Sequence, residues 1–148
     1  MIDEKLLEIL LVQMKQLRLL LSAKFSVRRS ISSPIEIVWP ILADTQFWPG
    51  WGLSILSVTP SSQVIHSGMR GQVRTIFGLT LNFEITEYEE NKSWDWDVLG
   101  LPITSHRVEA PSPEKTIVIF DLPYVLFPYS IVCLIALRRI AQLAIRLR

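Results

Sequence analysis

Ser93-Trp94-Asp95-Trp96-Asp97-Val98-Leu99-Gly100-Leu101-Pro102-Ile103-Thr104-Ser105-His106-Arg107-Val108-Glu109-Ala110 is the stretch on which the fold turns. Apolar and polar residues alternate through it, the spacing at which successive side chains point to opposite faces of a strand. Trp94, Trp96 and Val98 share one face and Ser93, Asp95 and Asp97 the other, so Trp94–Leu99 reads as a strand. Beyond Gly100, Thr104, His106, Val108 and Ala110 face inward while Ser105, Arg107 and Glu109 face solvent, giving a second strand over Ile103–Ala110. A connection this short joins antiparallel neighbours, because a parallel crossover needs a dozen or more residues.

The same reading extends in both directions. Leu53–Val58, Val73–Phe77 after the turn Gly68-Met69-Arg70-Gly71, and Leu79–Tyr88 after Gly78 are strands. Leu81, Phe83 and Ile85 face inward, and Val73, Thr75 and Phe77 continue that face. Thr116–Asp121 is a strand with two apolar faces, and Lys24–Ile31 opens the set. Between them, Ser33-Pro34-Ile35-Glu36 has the form of a capping box, with serine as N-cap and proline at the first helical position. The helix it starts carries Val38, Trp39, Ile41 and Leu42, bends or ends between Pro40 and Trp48, and is closed by Pro49-Gly50.

Helices flank the strands. Leu7, Leu10, Met14, Leu17 and Leu21 recur at spacings of three and four, one face of a helix that Leu6, Leu11 and Leu20 widen. That stripe packs on its own domain or meets a second copy, and both readings stay open. The last element, Pro128–Arg148, has a polar stripe of Arg138, Gln142 and Arg146 in its second half only. Its first half is expected to be enclosed, lying across the inner face of the sheet. Leu122–Leu137 has no charge but is shorter than a spanning helix needs and holds Pro123 and Pro128. It reads as a strand end and core helix, with shallow contact on a membrane surface as the other reading.

The 148 residues suit one domain with a sizeable core. The division expected is an amphipathic helix over 1–22 and an α+β domain over 23–148. A net charge of +1 excludes the basic footprint of a general nucleic-acid binder. The single cysteine, Cys133, precludes an intrachain disulfide and reads as a buried thiol of a reduced, cytoplasmic protein. The acidic start and the charges at Lys15 and Arg18 do not fit a secretory signal.

Strand, short helix, antiparallel strands and long C-terminal helix, in that order, resemble the START-like (SRPBCC) superfamily. This is the group of helix-grip folds that includes polyketide cyclases, lipid-transfer domains and the birch-pollen allergen family. The resemblance runs from about Lys24 to Arg148. It is carried by Pro34-Ile35-Glu36-Ile37-Val38-Trp39, Asp44, the Trp48-Pro49-Gly50-Trp51 loop, Gly68-Met69-Arg70-Gly71, Trp94-Asp95-Trp96-Asp97-Val98 and Thr116-Ile117-Val118-Ile119-Phe120. It implies a curved antiparallel sheet gripping the C-terminal helix, with a cavity between them for an apolar molecule such as a lipid or polyketide. The N-terminal helix is an addition to that pattern.

Within such a cavity, Trp39, Trp48, Trp51, Phe77, Phe83, Trp94, Trp96, His106 and Leu134 are the expected lining, with Trp48 and Trp51 gating or plugging the mouth. His106 is the candidate catalytic residue, since an inward histidine can act as general base or orient a carbonyl. Arg74 or Tyr88 would be its partner in a cyclase or dehydratase. Arg70 and Arg74 could receive an anionic head group. His66 reads as a solvated loop residue, and Asp95 and Asp97 as outer-face charges rather than a glycosidase pair. No Cys/His spacing suits a metal and no glycine-rich loop suits a phosphate, so no cofactor is expected. Three functions follow: a carrier or sensor of an apolar small molecule, a His106-dependent cyclase, or an interaction module. The last would form a homodimer through the N-terminal helix or touch a membrane peripherally. The first is preferred because no convergent polar set accompanies the aromatic face.

Overall fold

The computed structural model describes residues 3–148. Their centre is a seven-stranded antiparallel sheet. The strands are β1 (Lys24–Ile31), β2 (Ile55–Thr59), β3 (Arg70–Thr75), β4 (Thr80–Glu89), β5 (Ser93–Val98), β6 (Leu101–Ser112) and β7 (Lys115–Pro123). Each of β2 to β6 pairs with the strand that follows it, and β7 returns to pair with β1 along the length of β1, from Lys24 opposite Pro123 to Ile31 opposite Thr116. The antiparallel strands follow the alternation, and the whole is the α+β helix-grip arrangement that the resemblance implies.

Helix α1 (Glu4–Leu20) precedes the sheet, α2 (Ile35–Ala43) and the single turn α3 (Trp48–Trp51) lie between β1 and β2, and α4 (Ser130–Arg146) follows a 3-10 segment over Tyr124–Tyr129. The inner face of the sheet packs on α2, α3 and α4. Val38, Ile41 and Leu42 of α2, Trp94 and Ile85 of the sheet, and Leu137 and Ile140 of α4 belong to one buried cluster. A ring at Phe83 fits beside β3 only because Gly71 lacks a side chain, since a Cβ there would stand 2.7 Å from Phe83 Cζ.

Two local expectations, the capping box and the enclosed first half of the last helix, are corrected. No capping box forms, because Pro34 is the N-cap of α2 and makes no side-chain bond. Ser33 is instead buried, its carbonyl accepting a 2.8 Å bond from Thr116 Oγ1 and its own hydroxyl unpartnered. Helix α2 runs through Pro40 and ends at Ala43, within the stretch expected. The first half of α4 is not enclosed either: Cys133, Ala136 and Leu137 are buried, but Ile131 and Leu134 stand in solvent. No residue of α1 is buried. It touches the body near its C-terminus, where Arg18 Nη2 donates to Gly100 O at 2.7 Å and lies 3.8 Å from Asp97.

Candidate functional site

A cavity of about 380 Å³ lies between the inner face of the sheet and α4. Its floor is aromatic. Trp48 and Trp51 project from α3, whose position is fixed because the two indole N–H groups donate to Leu42 O (3.0 Å) and Ile41 O (2.8 Å). Those carbonyls belong to the last turn of α2, which has no helical donors left to offer them. Both tryptophans are buried, so they neither gate nor plug the mouth. They close its deep end.

Strands β5 and β6 supply the rest of the floor. Trp94 is stacked between Trp48 (centroids 5.1 Å, planes 7° apart) and His106 (3.7 Å, 16°). Phe120 meets the other side of His106 edge-on at 4.8 Å. Trp94 and His106 face each other directly across the β5–β6 ladder, which is why the alternation puts both rings on one face. Trp96 Nε1 donates to Thr104 Oγ1 at 2.9 Å, and that oxygen lies 3.3 Å from His106 Nε2. His106 Nδ1 has no partner among the described residues. This trio is the hydrogen-bonded polar group of the floor, and Trp94 Nε1 is buried beside it without a partner among the described residues.

Burial among aromatic rings removes water from His106 and lowers its pKa from the ordinary 6.5 to about 3. The imidazole is therefore neutral throughout the physiological range, and a neutral ring of such low basicity is a poor proton acceptor. Cys133, on the α4 wall, is pushed up to about 12 by burial, so it is an inert thiol.

The walls are formed by Val73, Thr75 and Leu81 on the sheet and by Val132, Cys133 and Ala136 on α4. Towards the outside the lining continues through Ser54, Ile55, Leu99, Leu101, Leu126 and Tyr129. These sit at the end of the sheet where β2, β4 and β6 begin and β3, β5 and β7 finish, and there the cavity opens. Tyr129 Oη and Ser54 Oγ, 2.9 Å apart, tie the 3-10 segment to the start of β2 across the opening.

Of the residues expected to line the cavity, Trp48, Trp51, Trp94, Trp96 and His106 are brought together here. Phe83 stands behind the wall, its ring 5.5 Å from Trp48 and 5.7 Å from Trp96. Trp39 packs on Tyr88 (6.0 Å) and does not reach the cavity. Phe77 is 79% exposed because β3 ends at Thr75 and the alternation stops with it. Leu134 points to solvent from the opposite side of α4 to Cys133 and Ala136. Arg70 and Arg74 are exposed on the face of β3 opposite Val73 and Tyr88 packs on Trp39, so neither Arg74 nor Tyr88 joins His106. Asp97 likewise lies on the outer face, where with Arg70, Gln72, Asn82 and Glu84 it borders a polar groove. The sequence reading placed Thr104 on the inner face without naming it as lining, and did not name Tyr129, Val132, Cys133 or Ala136. Thr104 was reachable, being two residues before His106 on the same face, and Tyr129, Cys133 and Ala136 follow helical spacing.

Residues 22–124 match the family described as polyketide cyclase / dehydrase and lipid transport. The chain belongs to that family. Among solved structures of the same fold, a Mesorhizobium loti protein aligns with TM-score 0.67 and 17% identity over 85% of this chain and 99% of its own. The XoxI protein of Bacillus cereus aligns with TM-score 0.64 and 15% identity, covering 83% and 96% of the two chains. DynU16, a protein in the dynemicin biosynthetic locus, gives TM-score 0.60 and 16% identity over 80% of this chain and 46% of its own. No curated protein matches the sequence.

Proposed function

We propose that the chain binds a small apolar molecule in the cavity beneath α4, as a carrier or sensor rather than a catalyst. The observation that carries this reading is the lining itself: apolar and aromatic walls with a single polar trio, Trp96–Thr104–His106, at the deep end. Pockets that hold apolar ligands have this composition, the few polar groups fixing orientation, and the volume falls at the small end of their range. The trio has bonding capacity left over. If His106 Nε2 carries the proton it donates to Thr104, whose own hydroxyl proton is then free for a ligand oxygen. In the other tautomer Thr104 donates to Nε2 and Nδ1–H is directed to the Trp94 backbone. The cyclase alternative lacks its components, because His106 is a weak base and Arg74 and Tyr88 stand elsewhere.

Native mass spectrometry of gently purified protein, followed by organic extraction, tests the proposal alongside titration with a fluorescent acyl probe. A bound apolar adduct or saturable probe binding is expected, and Ala136→Phe, which places a ring inside the cavity, should abolish it while the protein stays folded. Absence of both adduct and saturable binding, or binding unchanged in Ala136→Phe, would reject the reading.

A further inference from the structure

The two ends of the sheet differ in chemistry although they are built from the same hairpins. At the closed end the tight tips are Glu90-Asn91-Lys92 and Pro113-Glu114, all exposed, beside the longer β2–β3 connection over 60–69. At the cavity mouth they are Ile76-Phe77-Gly78-Leu79 and Leu99-Gly100, joined by the 3-10 segment Tyr124–Tyr129. Those three mouth segments contain no charged residue. All four exposed aromatics among the described residues (Phe77, Tyr124, Phe127 and Tyr129) lie in them, with Ile76, Leu79, Leu99 and Val125 also in solvent.

Turn chemistry makes the contrast sharper. The left-handed position of the closed-end turn is taken by Asn91 at φ 59°, the residue type that tolerates it. At the mouth the two-residue turn between Val98 and Leu101 needs positive φ at both positions, and the first is Leu99 at φ 53°. Asparagine or glycine would relieve that strain, so a strained leucine left in solvent points to a use outside the folded monomer.

The unpaired charges beside the mouth are cationic, Asp121 near the end of β7 being held by Arg107. Lys15 on α1, Lys24 at the start of β1 and Arg74 near the end of β3 form no ion pair among the described residues, whereas Asp97 is engaged by Arg18. Helix α1 enters β1 at this same end, Ala23 O accepting from Tyr124 N at 2.9 Å, and its apolar face is unburied. An apolar aromatic ring, a flanking amphipathic helix and unpaired cations are what an interfacial site for an anionic bilayer requires. We infer that the mouth end of the sheet docks on a lipid bilayer carrying anionic headgroups. The cavity then opens into the acyl region and exchanges its ligand with the bilayer directly. The exchange step rests on the ligand reading above; the docking does not.

Flotation with phosphatidylcholine vesicles, with and without phosphatidylserine, tests it on the full chain. Wild type should float with the phosphatidylserine vesicles and be partly released by salt. Each tip aromatic lost should lower partitioning by about tenfold, so Phe77→Asp with Phe127→Asp should leave the protein soluble. Val64→Asp, an exposed apolar site away from the mouth, should float like wild type. Wild type remaining soluble with both vesicles, or the double variant floating unchanged, overturns the inference. A dimer in sedimentation velocity that the double variant abolishes, without vesicle binding by either protein, also overturns it and assigns the rim to a second copy. Probe capture from solution separates the two readings. A double variant that captures but does not float supports docking. Flotation by a wild type that captures nothing leaves docking standing and rejects the cavity reading alone.

Discussion

Buried and uncharged, His106 should make stability depend on pH over a range where few other groups titrate. The perturbation is mild acidification of wild type and of His106→Gln and His106→Phe, which remove the titrating ring. Its folded pKa of about 3 lies below the ordinary 6.5 of the unfolded chain. Below pH 6.5 the unfolded state therefore binds a proton that the folded state refuses. Stability contributed this way is complete above 6.5 and is lost at about 1.4 kcal/mol per pH unit as the pH falls towards the folded value. Between about pH 7.5 and pH 5 the loss is about 2 kcal/mol. The figure is insensitive to the folded value, since any pKa below about 4 gives the same loss by pH 5. For a chain of this size it amounts to a fall in Tm of about 4–8 °C. Urea unfolding of the three proteins at several pH values measures the effect, and subtracting each variant from wild type cancels groups they share. Parallel profiles for wild type and both variants would refute the reasoning. So would an imidazole resonance of folded His106 titrating with a midpoint near 6.5.

Trp94→Ala, which removes the ring between Trp48 and His106, should cost about 3–5 kcal/mol in urea unfolding; a loss below about 1 kcal/mol would mean the stack contributes little. Cys133, with its pKa near 12, should resist iodoacetamide at mildly alkaline pH in the folded protein and react once urea unfolds it. Rapid alkylation of the native state would contradict that burial. Asp121 is disfavoured as an anion by its burial, yet bidentate bonds from Arg107 at 2.8 and 3.2 Å and the Ser26 hydroxyl outweigh this and lower its pKa. The stability from this pair is present above the ordinary carboxylate range and is lost as the pH falls through the folded value. Asp121→Asn should cost about 1 kcal/mol at neutral pH, discounted for the partly exposed arginine, and the difference from wild type should shrink in acid.

How much of this was legible depends on whether a feature is local. Strand alternation is a property of the backbone, so the inward set Phe83, Ile85, Trp94, His106 and Val108 could be read from spacing, and hairpin turns then set the sheet order. Alternation fails where the strand ends. Phe77 was carried inward by extending the pattern two residues past Thr75, into a turn whose Gly78 takes φ +80°. Helix α4 hid its buried side for a different reason. With Ile131, Val132, Cys133, Leu134 and Ile135 all apolar, hydrophobicity offers no contrast between faces, and the wall of Cys133 and Ala136 is decided by the sheet it packs on. The depressed basicity of His106 needs rings from β5, β7 and α3 at once, and no window of sequence contains them.

The same cavity constrains the chemistry of what it can hold. Its lining includes no lysine, arginine, aspartate or glutamate, and its one imidazole is neutral. A carboxylate or ammonium driven to the floor would lose its hydration without meeting an opposite charge, a penalty far larger than one hydrogen bond to Thr104 returns. A carbonyl or hydroxyl gives up much less and finds a donor in the Trp96–Thr104–His106 trio. The buried end of the ligand is therefore expected to be uncharged, and any ionised group should remain at the mouth beside Lys24 and Arg74. Thr104→Val separates these cases, because it removes the central hydroxyl and leaves the apolar volume intact. It should weaken binding of a long-chain alcohol or methyl ester by about tenfold, the usual worth of a buried hydrogen bond. Binding of an alkane of equal length should not change. Equal losses for alcohol and alkane would mean that the trio holds the floor together and does not address the ligand.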